Sequence, residues 1–325
     1  MKIGIIGPGE LPIPPEGWGG VEALIWNYKV ELEKQGHEVG ITNTKDLNAV
    51  VGAMNSWEPD FVHLQYDVYA DIMPYIKAPA KAMTSHYPYL DYPSMRRDYE
   101  WIFHKFCQNH SHIFTLSDLN NEQFKSFGAR EDLLWTWIYG VNSENFRFEE
   151  EAAMPDRTIC LGKIEPRKQQ VLLQFLSENI DFAGPHVDPR FNKDDKSYLG
   201  VWTREQVYND LTNYANMILF SDGEAAPQVT CEALLSGIGL VVSTEASANL
   251  DASLPFIDVV DRSIEYSELK EIIRKNRENS LKHRKEIREY GLENFDISKC
   301  VSRYVEKIEE LTCRGSSTDR FSSKE

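Results

Sequence analysis

The feature that most constrains this chain is its rhythm, because short apolar runs alternate with longer amphipathic stretches almost from end to end. In the first half the short runs are Lys2–Ile6, Glu38–Ile41, Phe61–Leu64, Ala80–Thr84 and Ile113–Leu116. Helical spacing separates them at Val21–Glu33, Met95–Phe106 and Asn120–Phe127; the first of these gathers Val21, Leu24, Ile25, Tyr28 and Leu32. In the second half, strands are expected at Thr158–Leu161, Asp181–Ala183, Asn216–Phe220, Gly239–Ser243 and Phe256–Val260. Helices are expected there at Gln169–Ser177, Arg204–Asn213, Val229–Leu235 and Glu268–Glu289. Such alternation implies an α/β chain whose parallel sheets are covered by helices on both faces.

With 325 residues the chain exceeds what one core commonly supports, so two domains are expected. The rhythm breaks at Glu149-Glu150-Glu151-Ala152-Ala153-Met154-Pro155, an acidic run closed by proline and the best linker in the sequence. That gives a domain over 1–150 and another over 151–296. A last helix over 297–312, amphipathic through Val301, Tyr304, Val305 and Ile308, is expected to pack back on the first domain. The polar segment 313–325 is expected to be disordered. In open α/β sheets ligands bind beyond the carboxyl ends of the strands. Two doubly wound domains therefore suggest a central cleft, lined by the loops that follow strands.

Bulk properties exclude several functions. The net charge is −16. Residues 1–150 hold 12 basic and 21 acidic groups (−9) and residues 151–325 hold 23 and 30 (−7), so neither half suits nucleic acid. The five cysteines are odd in number and dispersed, which excludes a zinc ribbon and disfavours a disulfide framework. The first residues form a strand that opens directly into a glycine loop, without the h-region of a secretory signal, so a cytoplasmic location is expected. The longest apolar run, near Gly237–Val242, is too short to span a bilayer. The basic stretch Arg274, Lys275, Arg277, Lys282, Arg284 and Lys285 is expected as a solvated helix face; any membrane contact is at most peripheral.

Four loops hold the residue types that chemistry needs. After the first strand, Gly7-Pro8-Gly9-Glu10 departs from a dinucleotide fingerprint, because Pro12 takes the sixth position and the helix begins much later. Gly19-Gly20 instead stands at a helix start, where bare amides and the helix dipole suit a phosphate or a sugar hydroxyl. His86, in Ser85-His86-Tyr87-Pro88-Tyr89, ends a strand among aromatics and could donate a hydrogen bond to a sugar. The nearby aromatic stretch, Tyr87 to Phe106, is read as core rather than as a stacking surface. Lys163 and Lys168 flank the turn after the first strand of the second domain and could converge on an anion. The strongest signal is Ser221-Asp222-Gly223-Glu224-Ala225-Ala226-Pro227, which leads into a helix bearing Glu232. Pro227 suits the first helical turn, and the two carboxylates can each grip a pair of hydroxyls.

Taken in order, these loops resemble the retaining GT-B enzymes of glycosyltransferase family 4. Glu224 and Glu232 have the family's Glu-x7-Glu spacing, and Gly162, Lys163 and Lys168 stand where it shows glycine, arginine and lysine. Gly19-Gly20-Val21-Glu22, His86, Tyr139-Gly140-Val141-Asn142 and Tyr198-Leu199-Gly200 also match family segments. The resemblance implies two Rossmann-like domains facing a central cleft. It implies transfer of a sugar from a nucleotide-diphosphate-sugar to a saccharide or other hydroxyl acceptor, with retention of configuration and with no metal or cofactor. It gives the diphosphate to Lys163, Lys168, Gly19 and Gly20, and the donor sugar to Glu224, the Ala225-Ala226 turn and His86. The ribose falls to Glu232. Lys163 departs from the usual arginine, and Pro227 removes one backbone donor from the turn. A nucleotide-sugar epimerase or hydrolase, or a binding module without turnover, are the other readings of the same frame.

Overall fold

The computed structural model describes residues 1–96, 99–176 and 178–318, the side chains of 314–318 excepted. The chain divides into two compact units. The first joins Met1–Tyr139 with the C-terminal segment from Ile297, and the second is Gly140–Asp296.

The first unit is built on strands β1 (Lys2–Ile6), β2 (Glu38–Thr42), β3 (Phe61–Leu64), β4 (Ala80–Met83), β5 (His112–Thr115) and β6 (Leu134–Thr136). They form one sheet in the order β2-β1-β3-β4-β5-β6, with every pairing parallel. Its helices are α1 (Gly20–Lys34), α2 (Leu47–Trp57), α3 (Pro93–Arg96), α4 (Glu100–Gln108), α5 (Asp118–Ser126) and, from the end of the chain, α11 (Ile297–Thr318). Strand β6 and helix α2 are among the elements that lie outside the sequence expectations. Strand β6 is three residues long, too short to display alternation. Helix α2 lacks a clean polar face, since Val50 and Met54 are buried while Val51 and Ala53 are not; Asp46 caps it by accepting from Ala49 N–H.

Helix α11 settles on this unit through an aromatic cluster. The buried Tyr304 ring meets Tyr28 edge-on at 5.5 Å and lies 5.6 Å from the Trp137 ring. The helix runs to Thr318, so the segment expected to be disordered from 313 begins inside it, and 319–325 lie outside the described residues. Within the aromatic stretch, Phe103 and Phe106 are fully buried in the apolar core, whereas Trp101 is half exposed.

The second unit contains β7 (Met154–Leu161), β8 (Ile180–Ala183), β9 (Tyr214–Leu219), β10 (Gly239–Ser243) and β11 (Ile257–Val260). These five form a parallel sheet in the order β11-β10-β9-β7-β8. Its helices are α6 (Gln170–Phe175), α7 (Arg204–Asp210), α8 (Gln228–Leu235), α9 (Tyr266–Lys282) and α10 (Arg284–Asn294). Helix α7 starts in a capping box, with Thr203 accepting from Gln206 N–H and Gln206 accepting from Thr203 N–H. The single helix expected over Glu268–Glu289 is two, because His283 leaves helical geometry at φ −116°. The break lets α10 lie flat on α8: a Cβ at Gly291 would come within 3.0 Å of the Leu234–Leu235 backbone.

Of the expected basic face, Arg274, Lys275, Lys282 and Lys285 are exposed, whereas Arg277 and Arg284 turn inward. Arg277 and Arg284 are 8% and 3% exposed. Arg277 donates to Thr158 Oγ1 at 2.8 Å, and Arg284 donates to the carbonyls of Glu149, Thr212 and Tyr214. A guanidinium has five donors, enough to satisfy carbonyls at a sheet end that would otherwise be stranded. Those contacts also fix the acidic run, whose Glu149 N–H donates to Thr212 Oγ1 and whose Met154 already opens β7. That run is therefore part of the second unit, and the units divide at Tyr139/Gly140 and Asp296/Ile297. Among the described residues no helix is long and apolar enough to cross a membrane.

Both sheets turn back beside their first strand, at β1/β3 and at β7/β9. Adjacent strands there send their following loops to opposite faces and leave a crevice at their carboxyl ends. The four loops singled out for their chemistry follow β1, β4, β7 and β9.

Candidate functional site

In the second unit the loops after β7 and β9 meet across that switch point. Glu224, in the loop after β9, is the junction. Its Oε1 accepts from Ser221 Oγ at 2.8 Å and lies 3.0 Å from Lys168 Nζ and 2.9 Å from Arg167 Nη1. Backbone bonds hold the two loops together: Asp222 N–H donates to Arg167 O at 2.8 Å, and the Arg167 guanidinium donates to Gly223 O. Burial pushes the Glu224 carboxyl up. The Lys168 and Arg167 charges, with hydrogen bonds from Ser221 and Lys168, outweigh that and leave it below the usual carboxylate range. The Arg167 guanidinium moves the opposite way in net: burial lowers it, but Glu224 and Glu165 raise it further. This is a tight, nearly enclosed ion cluster in which the Lys168 and Glu224 side chains are only 12% and 10% exposed.

Lys163 sits differently. It is half exposed and lies 3.4 Å from Glu165 Oε2, not beside Glu224. Its carbonyl is anchored by Gln170 Nε2 at 2.9 Å, which fixes the turn that precedes α6. Glu232 is one turn inside α8, buried, and its Oε1 accepts from Arg204 Nη2 at 2.7 Å. The Arg204 guanidinium lies over the Tyr208 ring at 4.8 Å. Ala225 and Ala226 are partly buried and open the turn that Pro227 closes. Glu224 and Glu232 therefore share a pattern. One oxygen of each is committed to fixed cations, while no described residue hydrogen-bonds to the Oε2 of either.

In the first unit, Gly19 is the N-cap of α1 and Gly20 its first residue. A Cβ at Gly19 would come within 3.0 Å of Glu22 Oε2 and of Leu11 Cδ1, whereas one at Gly20 would meet nothing within 4 Å. Gly19 thus serves loop packing, while the space a side chain would take at Gly20 is open. His86 follows β4 and is partly buried; its Nε2 lies 2.8 Å from Gln65 Oε1. Burial pulls its pKa down to about 4, so the ring is neutral at pH 7. The preceding Ser85 donates to Asp67 Oδ2 at 2.6 Å, and Tyr99 donates to the same carboxylate at 2.7 Å. His86 is therefore held by the segment after β3 on both sides. Its Nε2 is engaged by Gln65, so the ring nitrogen turned away from that contact is Nδ1.

Sequence reasoning gave no role to Arg167, Arg204, Gln65 or His63. Arg167 adjoins Lys168, so the second cation was visible but its partner, a loop far along the chain, was not. For His63 the signal was polarity inside an otherwise apolar, fully buried strand, and Gln65 is a buried polar residue just beyond its end; a buried polar side chain needs a partner.

No protein-family model and no curated protein matches the sequence. Solved structures do match the fold over nearly the whole chain. The UDP-glucose complex of Anabaena HepE is 13% identical, covering 95% of this chain and 100% of that chain, with a TM-score of 0.73. Sucrose-phosphate synthase from Thermosynechococcus elongatus is 11% identical, covering 97% of this chain and 100% of that one, with a TM-score of 0.79. WaaG, a glycosyltransferase involved in lipopolysaccharide biosynthesis, is 12% identical over 94% and 99%, with a TM-score of 0.67. At such identities the likeness concerns the fold, and the fold is GT-B: two parallel α/β sheets of six and five strands.

Proposed function

We propose that this chain is a glycosyltransferase of family 4 that moves a sugar from a nucleotide-diphosphate-sugar to a hydroxyl acceptor, retaining anomeric configuration without a metal. The observation that supports it most is the cluster at the β7/β9 switch point, where Lys168 and Arg167 converge on Glu224. A diphosphate gains charge as its bond to the sugar breaks, and preorganised cations stabilise that charge without reorganisation. Lys168 supplies the buried cation and Lys163 a second, half-exposed one. Glu224 Oε2 takes a donor-sugar hydroxyl and Glu232 Oε2 the ribose. Amides at Gly19 and Gly20 add to the phosphate cradle, and His86 meets the sugar. With these fixed cations in place, the departing phosphate itself takes the acceptor proton, so retention needs no further carboxylate base. The Anabaena relative was solved with UDP-glucose, which makes a uridine donor the first to test.

The test is a thermal-shift screen against UDP-, GDP- and ADP-sugars, since selective binding raises the melting temperature by mass action. Turnover then follows with and without an acceptor, in excess EDTA, with the product anomer read by proton NMR. Hydrolysis or epimerisation without transfer would replace the transferase reading by its alternatives. An inverted product, or loss in EDTA restored by magnesium or manganese, would overturn the mechanism.

A further inference from the structure

From the loop after β7, Arg167 holds three consecutive residues of the loop after β9. Its carbonyl accepts from Asp222 N–H at 2.8 Å, its Nη1 donates to the Gly223 carbonyl, and the same Nη1 lies 2.9 Å from Glu224 Oε1. The other arm of the fork, Nη2, donates to Glu165 Oε1 at 2.7 Å. Both arms of this guanidinium are thus taken by protein oxygens. Lys168 Nζ has three donors, and among the described residues it pairs only with Glu224 Oε1, 3.0 Å away. It lies beside the turn after β7, where a Cβ at Gly162 would come within 3.4 Å of Nζ. At the far side, Lys163 Nζ lies 3.4 Å from Glu165 Oε2. The five side chains therefore form one alternating chain, Lys163–Glu165–Arg167–Glu224–Lys168. A lysine stands at each end and Arg167 at the centre.

We propose that Arg167 is a positioning residue that touches no substrate: it holds Glu224 by Oε1, leaving Oε2 for the donor sugar, and shares both carboxylates so that the lysine charges remain for the diphosphate. This rests on the reading of Glu224 and the two lysines as donor contacts. Paired with Lys168 alone, Glu224 would cancel the charge that a diphosphate needs; a second cation on the same oxygen prevents this. Lysine at position 167 would keep the charge but not the fork, and so could not hold Gly223 O and Glu165 on separate arms. The Glu224 carboxyl reports the arrangement. Lys168 and Arg167 hold it below the usual range against burial, and the other carboxylates near it are Glu165, behind Arg167, and Asp222, on its own loop. Without Arg167, burial is less opposed and the Glu224 pKa rises. Its charged form, present above that pKa, is then lost at a higher pH on acidification.

The experiment is a carbon NMR pH titration of protein labelled with 13C at the glutamate carboxyls, with Glu224 assigned by its loss in Glu224→Gln. Calorimetric titration accompanies it, with UDP, GDP or ADP, whichever the thermal-shift screen selects, and with its sugar conjugate. Arg167→Met should move the Glu224 midpoint upward and weaken both ligands. Arg167→Lys should hold the midpoint near that of the parent. It should leave the nucleoside diphosphate within about twofold and weaken the conjugate about tenfold or more, the scale of one lost hydrogen bond to a charged group. A midpoint unmoved in Arg167→Met overturns the proposal. Equal loss of both ligands in Arg167→Lys also overturns it, since a merely structural tie gives that result. Loss of the diphosphate alone would mean direct contact and overturns it too. The carboxyl titration needs no ligand. A screen in which no nucleotide-sugar binds sinks the transferase reading, and the titration still decides whether Arg167 acts through Glu224.

Discussion

Replacing Gly184 by alanine should damage the second unit more than any change of one methyl group elsewhere in its loops. Gly184 follows β8 with φ +143°, a conformation that residues with a Cβ rarely adopt. An added Cβ would stand 2.2 Å from Gly162 O and 2.7 Å from the Gly162 carbonyl carbon, both backbone atoms. Neither can yield easily, because Gly162 N–H donates to Ala183 O at 2.9 Å and ties the ends of β7 and β8 together. The unfavourable dihedral costs about 1–3 kcal/mol. Relieving the overlap costs about another 1–3 kcal/mol. The total of about 2–6 kcal/mol corresponds to a fall of roughly 4–24 °C in the melting temperature of a unit this size. The displaced segment is the one that leads to Lys163 and Lys168, so stabilisation by nucleotide-sugar should weaken as well. Gly52→Ala, in α2 with nothing within 4 Å, is the control and should be neutral or stabilising by up to about 1 kcal/mol. Calorimetry of both variants decides it. A Gly184→Ala protein that melts within about 2 °C of the parent would refute the close approach of the two turns.

Three further outcomes follow from the site. Lys168→Ala should lower turnover by about 10²-fold or more while leaving the fold intact, as for loss of other transition-state donors; initial rates with the donor from the screen check this. Calorimetric titration should separate the carboxylates, Glu232→Ala weakening free nucleotide diphosphate and its sugar conjugate alike, Glu224→Ala weakening only the conjugate. The His86 pKa, held at about 4 by burial against an ordinary 6.5, gives an acid sensitivity with a definite sign. Its neutral form contributes fully above pH 6.5, and the contribution is lost as pH falls toward 4, about 3 kcal/mol in all. His86→Gln should flatten that part of the stability curve in urea titrations, and an unchanged slope would remove His86 as its source.

What the sequence determined by itself was everything that depends on local pattern. Buried parallel strands must be apolar nearly throughout, so β1, β3, β7 and β10 could be read from runs such as Lys2–Ile6 and Gly239–Ser243. Glycines, the strand-ending histidine and the spaced glutamates marked the loops, because turns and helix starts impose residue types over a few positions. Elements whose stability comes from neighbours left no such mark. Three-residue β6 exists through its ladder to β5, and the break at His283 exists because α10 must reach α8. Pairings across long stretches of chain were likewise decided only by tertiary structure. Charge pattern made Arg277 and Arg284 look like solvent-facing residues, yet both are buried against partners more than a hundred positions away, Arg284 on the Glu149 carbonyl and Arg277 on the Thr158 hydroxyl. The same holds at the site: sequence supplied Lys168, Glu224 and His86, while the partners Arg167 and Gln65 were settled by which strand ends the sheets set side by side, β7 with β9 and β3 with β4. A side chain's type is written in the sequence, but the direction of its hydrogen bonds is fixed only by the atoms packed around it.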